Sequence, residues 1–136
     1  MSSLVLKLGP HERVLVNGAV IENGERRARL AILTPNANIL RLRDAIHPDE
    51  VTTPVRRVCY IAQLALSGDA EPEQAARQML AGIGQLAQVF LDSDSRRHLD
   101  DARHAVGVGD CYRALKQLRA LLPREARLRS AAGAPT

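Results

Sequence analysis

Two hydrophobic patterns divide the chain. Up to about residue 43, apolar residues form short runs separated by turns rich in Gly, Pro and Asn, which is typical of β-strands. From Pro54 onward, apolar residues recur at helical spacing. Because strands and helices are segregated, the pattern predicts an α+β fold, in which an antiparallel β meander of about five strands precedes a bundle of about four helices.

The predicted strands read SLVLKL, RVLV, AVIE, ARLAIL and ILRLR. Asn17-Gly18 predicts a type I′ hairpin between the second and third strands, since both residues tolerate a positive φ. Asn23-Gly24 predicts the next turn. In the last strand, Ile39 to Arg43, the two leucines point to one face and Arg41 and Arg43 to the other.

The helical half opens with a strong start signal. Thr53 is a good N-cap and Pro54 fits the first helical position, so a helix is expected to run to about Leu66. Further helices are predicted from near Pro72, over Ser95 to Val106, and over Cys111 to Leu122 with Asp110 as its cap. Gly82 and Gly84 weaken the second helix by about 1 kcal/mol each, and we expect them to permit a close helix crossing.

These patterns predict three segments. Residues 1–48 form a basic antiparallel β module, residues 49–123 form a helical module packed on it, and residues 124–136 form a flexible tail of basic and small residues.

Composition narrows the classes of function. The chain has 136 residues, of which 46% are hydrophobic and only 2% aromatic, with no Trp. The core must therefore be aliphatic, and a surface that stacks nucleic-acid bases on several aromatic rings is not expected. No secretory signal or membrane span is visible, which predicts a cytoplasmic protein. Cys59 and Cys111 match no metal spacing and are expected to be core residues.

Charge is unevenly distributed. Residues 1–43 hold seven basic and three acidic residues, which accounts for the whole formal net charge of +4, whereas residues 44–136 hold twelve of each sign. A basic module beside a neutral one suggests an anionic partner for the first. Alternatively, its cations form a solvated outer face without a ligand. The candidate RNA-binding residues are Lys7, Arg26, Arg27, Arg29, Arg41 and Arg43.

No catalytic motif supports an enzyme. The Gly-containing segment GVGD (residues 107–110) links two helices rather than a strand and a helix, so it is not read as a phosphate loop. His98, Asp101 and His104 lie three apart on one helix, a spacing that does not bring all three to one metal. We therefore predict neither an enzyme nor a metal or cofactor.

The helical half offers a different kind of site. Arg56, Tyr60 and Gln63 share a face of the first helix, which makes them candidate contacts for a partner protein. The alternative is that the apolar stripes of the helices only pack on one another and on the sheet.

Three segments carry a family resemblance. VNGAVIENG, VTTPVRRVCYIAQLAL and ALKQLRALLPREARL occur in the order found in the FlbT family of flagellin-synthesis regulators, and the similarity covers nearly the whole chain. The resemblance implies a post-transcriptional regulator that acts at the 5′ untranslated region of flagellin mRNA, typically lowers its translation and lifetime, and works alongside the companion regulator FlaF. Some members activate instead.

The first third is also similar in layout to the carbon-storage regulator (CsrA) proteins. That similarity implies RNA contacts at Leu4 to Lys7 and at Leu40 to Arg43, with Arg43 the best single candidate, and makes a homodimer plausible.

Together these inferences predict an RNA-binding repressor of flagellin synthesis. Its expected partners are the flagellin mRNA leader, a FlaF-type regulator and flagellin itself, without a membrane. The alternative is an adaptor or chaperone that holds a flagellar protein through its helical half.

Overall fold

The structure is a computed structural model that describes residues 4–17, 19–35, 37, 39–41 and 45–132. It is an α+β fold in which antiparallel strands precede helices, as the pattern predicts. The strands are β1 (Leu4–Leu8), β2 (Arg13–Val16), β3 (Ala19–Glu22), β4 (Ala28–Ile32) and the two-residue β5 (Ile39–Leu40). A 3₁₀ turn (Pro48–Glu50) leads to α1 (Pro54–Leu66), α2 (Pro72–Leu86), α3 (Ser93–Gly107), α4 (Cys111–Arg119) and α5 (Leu122–Ala131).

The strands form two small sheets, and the prediction of one continuous meander is wrong. β1 pairs with β4, while β2 lies between β3 and β5. The hairpin between β2 and β3 is confirmed, since Val16 pairs with Ala19 and Asn17 has a φ of 47°. Gly18 lies outside the described residues, so the predicted turn type stays a prediction.

The turn at Asn23 has another role, because β3 and β4 do not pair. The Asn23 side-chain amide donates to the carbonyls of Gly9 at 2.8 Å and Arg26 at 2.9 Å, and more weakly to that of Leu8 at 3.4 Å. It therefore ties the connection before β4 to the end of β1.

Two apolar clusters hold the sheets in place. Leu6, Leu8 and Val14 are buried between the two sheets. Leu15, which is next along β2 and faces the other way, belongs to the main core with the helices. β2 thus joins the strands to the helical bundle.

The helix starts follow from their caps. Thr53 Oγ1 accepts from the backbone N–H of Arg56 at 3.2 Å, and Asp110 caps α4 in the same way through Arg113 N at 3.0 Å. Asp92 caps α3 by accepting from Ser95 N at 3.0 Å, and hydrogen bonding to Ser95 lowers the pKa of the Asp92 carboxyl.

Gly82 confirms the expected close crossing of α1 and α2. A Cβ built at Gly82 would lie 2.5 Å from Val58 Cγ2, whereas one at Gly84 would meet nothing within 4 Å. Of the two glycines, only Gly82 is therefore needed for α1 and α2 to pack this closely. Of the two cysteines, Cys59 is fully buried as expected, and Cys111 is half-buried.

The described part of the chain holds five α-helices rather than about four. Residues 122–131 form α5, although residues from 124 onward are predicted to be a flexible tail. Pro123 lies in the first turn of α5, where a proline is tolerated, so it starts a helix instead of ending one. Glu125 anchors α5, because its buried carboxylate accepts from Val55 N at 3.0 Å.

Candidate nucleic-acid interface

Four of the six predicted RNA-binding residues line one cleft in the β module. The cleft has a volume of about 600 Å³ and lies where the end of β1, the turn after it and the start of β4 meet. We call it the basic cleft. Its lining residues are Lys7, Leu8, Gly9, Pro10, Glu12, Arg27, Ala28, Arg29 and Arg41.

Lys7 and Arg29 form the centre of the positive charge. They lie directly opposite each other across the β1–β4 ladder, and both side chains are exposed. The alternation of β1 explains this placement, since Leu6 and Leu8 point into the core and Lys7 points away. Like charges in this position destabilise a strand pair, and neither side chain forms an ion pair with a described residue. An anion at this position would relieve the repulsion.

Arg41 enters the cleft with a partner that sequence patterns did not reveal. Its guanidinium donates to both carboxylate oxygens of Glu12, from Nε at 2.9 Å and from Nη2 at 3.3 Å, and Nη2 also donates to the carbonyl of Lys7. The Glu12 side chain is only 10% exposed and also accepts from Gly9 N at 3.1 Å. Glu12 therefore fixes Arg41 in place and offsets part of its charge.

The turn between β1 and β2 brings Glu12 to this position. Pro10 and His11 occupy its centre, His11 has a φ of 58°, and Glu12 N donates to Gly9 O at 3.2 Å. A carboxylate at the end of a tight turn and an arginine 29 residues later give no periodic signal in the sequence, so their pairing could not be predicted.

The remaining two predicted cations are Arg26 and Arg43. Arg26 is exposed on the connection before β4 but does not line the cleft. Arg43 lies outside the described residues, so its pairing with Arg41 on one strand face stays a prediction. β5 ends at Leu40.

Arg13 is basic but already neutralised. It donates to Glu50 at 2.8 Å and to Glu22 at 2.9 Å, and these two hydrogen bonds raise the pKa of its guanidinium. The hydrogen bond between Arg13 and Glu50 also lowers the pKa of the Glu50 carboxyl. Arg13 therefore joins the β module to the segment before α1 rather than offering charge to a ligand.

The three candidate partner-binding residues do not share one environment. Arg56 is exposed and Tyr60 is half-buried. Gln63 is only 2% exposed, and its amide both accepts from Ile46 N and donates to Ile46 O, each at 2.9 Å. The prediction does not hold for Gln63, because its side chain is fully used inside the protein.

The described residues contain no group of three or more His, Cys, Asp or Glu side chains that could hold a metal ion. His98 is instead hydrogen-bonded to Gln117 on α4, with 2.7 Å between Nδ1 and Oε1. Among the described helices, none has the length and apolar character needed to cross a membrane.

Comparison with known proteins assigns the chain to a family. The family model described as flagellar protein FlbT matches residues 4–128. The chain belongs to the FlbT family. This confirms the resemblance carried by the hairpin and by the start of α1.

Named relatives agree with this assignment. A Brucella abortus protein named "Probable flagellum biosynthesis repressor protein FlbT" is 32% identical over 130 residues, which cover 96% of this chain and 84% of the relative. A Bradyrhizobium diazoefficiens protein, "Probable flagellum biosynthesis repressor protein FlbT 1", is 34% identical over 129 residues, which cover 93% of this chain and 85% of the relative. No solved structure matches this FlbT-family chain, so the CsrA-like layout stays a prediction.

Proposed function

We propose that this FlbT-family protein represses flagellum biosynthesis by binding the 5′ untranslated region of flagellin mRNA in the basic cleft. The relatives are named as repressors of flagellum biosynthesis, which supports the first part. The second part is supported by one observation: Lys7, Arg27, Arg29 and Arg41 line a single cleft, and the one carboxylate among its described lining residues is that of Glu12.

The charge in the cleft suits a polyanion. A concave surface lined by one sign of charge concentrates the electric field and attracts counter-charged ligands. Lys7 and Arg29 supply two adjacent cations on a rigid strand pair, and strands hold such groups more precisely than loops do. The phosphates of the RNA would lie between them and offset their mutual repulsion.

The cleft does not support recognition by base stacking. None of its described lining residues is aromatic, and sequence-tolerant stacking of bases depends on such rings. RNA would be held chiefly through its phosphates, so binding should weaken steeply as salt is added.

Two neighbouring arginines provide a matched test. Arg27 lines the cleft and Arg26, the residue before it on the same exposed connection, does not. Binding of a fluorescent flagellin leader is measured by anisotropy across a salt series. Arg27→Gln should reduce the slope of log K against log salt by about 0.7, the value expected for one phosphate contact on a single strand, and Arg26→Gln should leave it unchanged. Equal slopes for the two variants would remove the cleft from consideration.

A second test is expected to raise the affinity for RNA rather than weaken it. Glu12→Gln removes the one carboxylate among the described residues of the cleft and frees Arg41 from its ion pair. At an effective dielectric constant near 20, a charge about 8 Å from a phosphate contributes about 2 kcal/mol before salt screening. We therefore expect the affinity of Glu12→Gln for the leader to rise by severalfold at low salt. A decrease in affinity with the fold intact would show that Glu12 contributes to RNA binding.

A further inference from the structure

A second site for positive charge lies in the helical half. A cleft of about 420 Å³ opens between the start of α1 and α5, and Arg56 from α1 and Arg129 from α5 both line it. We call it the α1–α5 cleft. Its other lining residues include Thr52, Leu122 and Glu125.

The two guanidinium groups are not neutralised. Arg56 donates to Thr52 Oγ1 at 3.2 Å and to the carbonyl of Glu50 at 3.4 Å, both of which are uncharged acceptors. Arg129 forms no ion pair with any described residue. These contacts orient Arg56 without cancelling its charge.

Glu125 explains why Arg129 lacks a partner. A glutamate four residues before an arginine is well placed for a helical ion pair. Here the Glu125 carboxylate is buried and accepts from Val55 N at 3.0 Å, at the start of α1. This hydrogen bond holds α5 on α1, and among the described residues Glu125 and Arg129 form no ion pair, so the Arg129 guanidinium remains available in the cleft.

The surrounding charge has the same sign. The twelve basic and twelve acidic residues of the carboxy-terminal two thirds are not mixed: residues 44–110 hold six basic and eleven acidic residues, whereas residues 111–136 hold six basic and one acidic, a net charge of +5. Counting charge in a shorter window would have shown this. On α4 and α5, Arg113, Lys116 and Arg127 are exposed and form no ion pair with a described residue.

The character of α5 favours a polyanion over an acidic protein surface. Protein interfaces have an apolar centre depleted in charge. Among the described residues of α5, the one large exposed apolar side chain is Leu128, which is 46% exposed. Separated arginines on a polar helix are instead suited to phosphates, which accept paired hydrogen bonds from a guanidinium.

We propose that the α1–α5 cleft is a second phosphate-binding site, in which Arg56 and Arg129 grip the backbone of the RNA that the basic cleft holds. This inference rests on the proposed function. It assigns the helical half a direct contact with the transcript that does not depend on RNA sequence.

Paired substitutions test this proposal. Arg56→Gln with Arg129→Gln removes two cations from the cleft, and Arg77→Gln with Arg103→Gln removes two exposed arginines from elsewhere on the helices as a control. Both proteins are titrated against the flagellin leader and against a scrambled RNA of equal length. We expect the first pair to reduce the salt slope by about 1.4, at about 0.7 for each contact, on both RNAs, and the control to leave it unchanged. Arg56→Lys with Arg129→Lys should retain most of the slope, and circular dichroism checks that each variant is folded.

The outcomes separate the two proposals. If both arginine pairs lower the slope equally, or neither does, the α1–α5 cleft is not a phosphate site, while the Arg26 and Arg27 comparison still decides the basic cleft. If the Arg56 and Arg129 pair lowers the slope but Arg27→Gln does not, the basic cleft fails, and the α1–α5 cleft binds RNA phosphates without the basic cleft, which overturns the shared grip on one RNA. Binding of an oligoglutamate peptide by wild-type protein, without binding of either RNA, would overturn both.

Discussion

Gly82 determines how closely α1 and α2 pack, and Gly82→Ala tests this directly. The added methyl would lie 2.5 Å from Val58 Cγ2, where carbon atoms prefer about 3.5–4.0 Å. Val58 is buried and β-branched, so its methyl groups are held in one strongly preferred rotamer. Either Val58 must leave that rotamer or the helices must separate, and overpacking of this kind costs about 1–3 kcal/mol.

Gly84 provides the control, because a methyl added there meets nothing within 4 Å. Both substitutions gain about 1 kcal/mol of helix propensity, so they differ only in what the new methyl contacts. We expect Gly84→Ala to be more stable than wild type by up to about 1 kcal/mol. Gly82→Ala should lie about 1–3 kcal/mol below Gly84→Ala, which places it up to about 2 kcal/mol below wild type.

Urea unfolding followed by circular dichroism at 222 nm measures both variants. The midpoint should shift without a change in slope, since the surface exposed on unfolding is nearly the same. Val58→Ala introduced into Gly82→Ala should recover part of the loss, giving a coupling energy between the two positions. Equal or greater stability of Gly82→Ala relative to Gly84→Ala would refute the close-packing explanation.

Three further predictions concern the helical half and its junction with the strands. Glu125→Ala leaves a buried N–H at the start of α1 without its acceptor, so the free energy of unfolding should fall by about 1–3 kcal/mol in the same urea assay. The hydrogen bond from Arg13 lowers the pKa of Glu50 in the folded protein. The ion pair therefore stabilises the fold above about pH 4, and this stabilisation is lost as the pH falls through the lowered pKa. Because Arg13→Gln removes the pair, it should reduce the change in Tm between about pH 5 and pH 3. Burial raises the pKa of Cys59 to about 12, so a thiol reagent at neutral pH should modify the half-buried Cys111 in native protein and Cys59 only after denaturation; modification of both at the same native rate would contradict this.

The helices were more predictable from sequence than the sheets. Local caps determine where α1 and α4 begin, and Thr53 and Asp110 act as caps in the structure as the sequence predicts. Strand pairing depends on distant residues: the paired residues of β1 and β4 are 20 to 28 positions apart, so a turn signal at Asn23 could not reveal that β3 and β4 remain apart. The prediction that the helices end before Pro123 failed for a different reason. A proline fits both after a helix and in the first turn of the next helix, so Pro123 alone does not distinguish the two.

In the candidate site, too, local features could be predicted from the sequence and long-range contacts could not. Lys7, which lies in a predicted strand, is exposed in β1 between the buried Leu6 and Leu8, because strand periodicity is a local property. The ion pairs of Arg13 and Arg41 join residues between 9 and 37 positions apart, and nothing in a local pattern distinguishes such paired arginines from unpaired ones. Charge counts therefore pointed to the β module but overestimated how much of its charge is free of ion pairs.

The Asn23 amide has a consequence for how the protein ages in solution. Asparagine followed by glycine is the sequence most prone to spontaneous deamidation, and the product carries a carboxylate that can only accept hydrogen bonds. At residue 23 that carboxylate would face the carbonyl oxygens of Gly9 and Arg26, which the amide now binds. In stored samples the hydrogen bonds that join the end of β1 to the connection before β4 should therefore be lost. The basic cleft should then change shape, while the helical core stays intact.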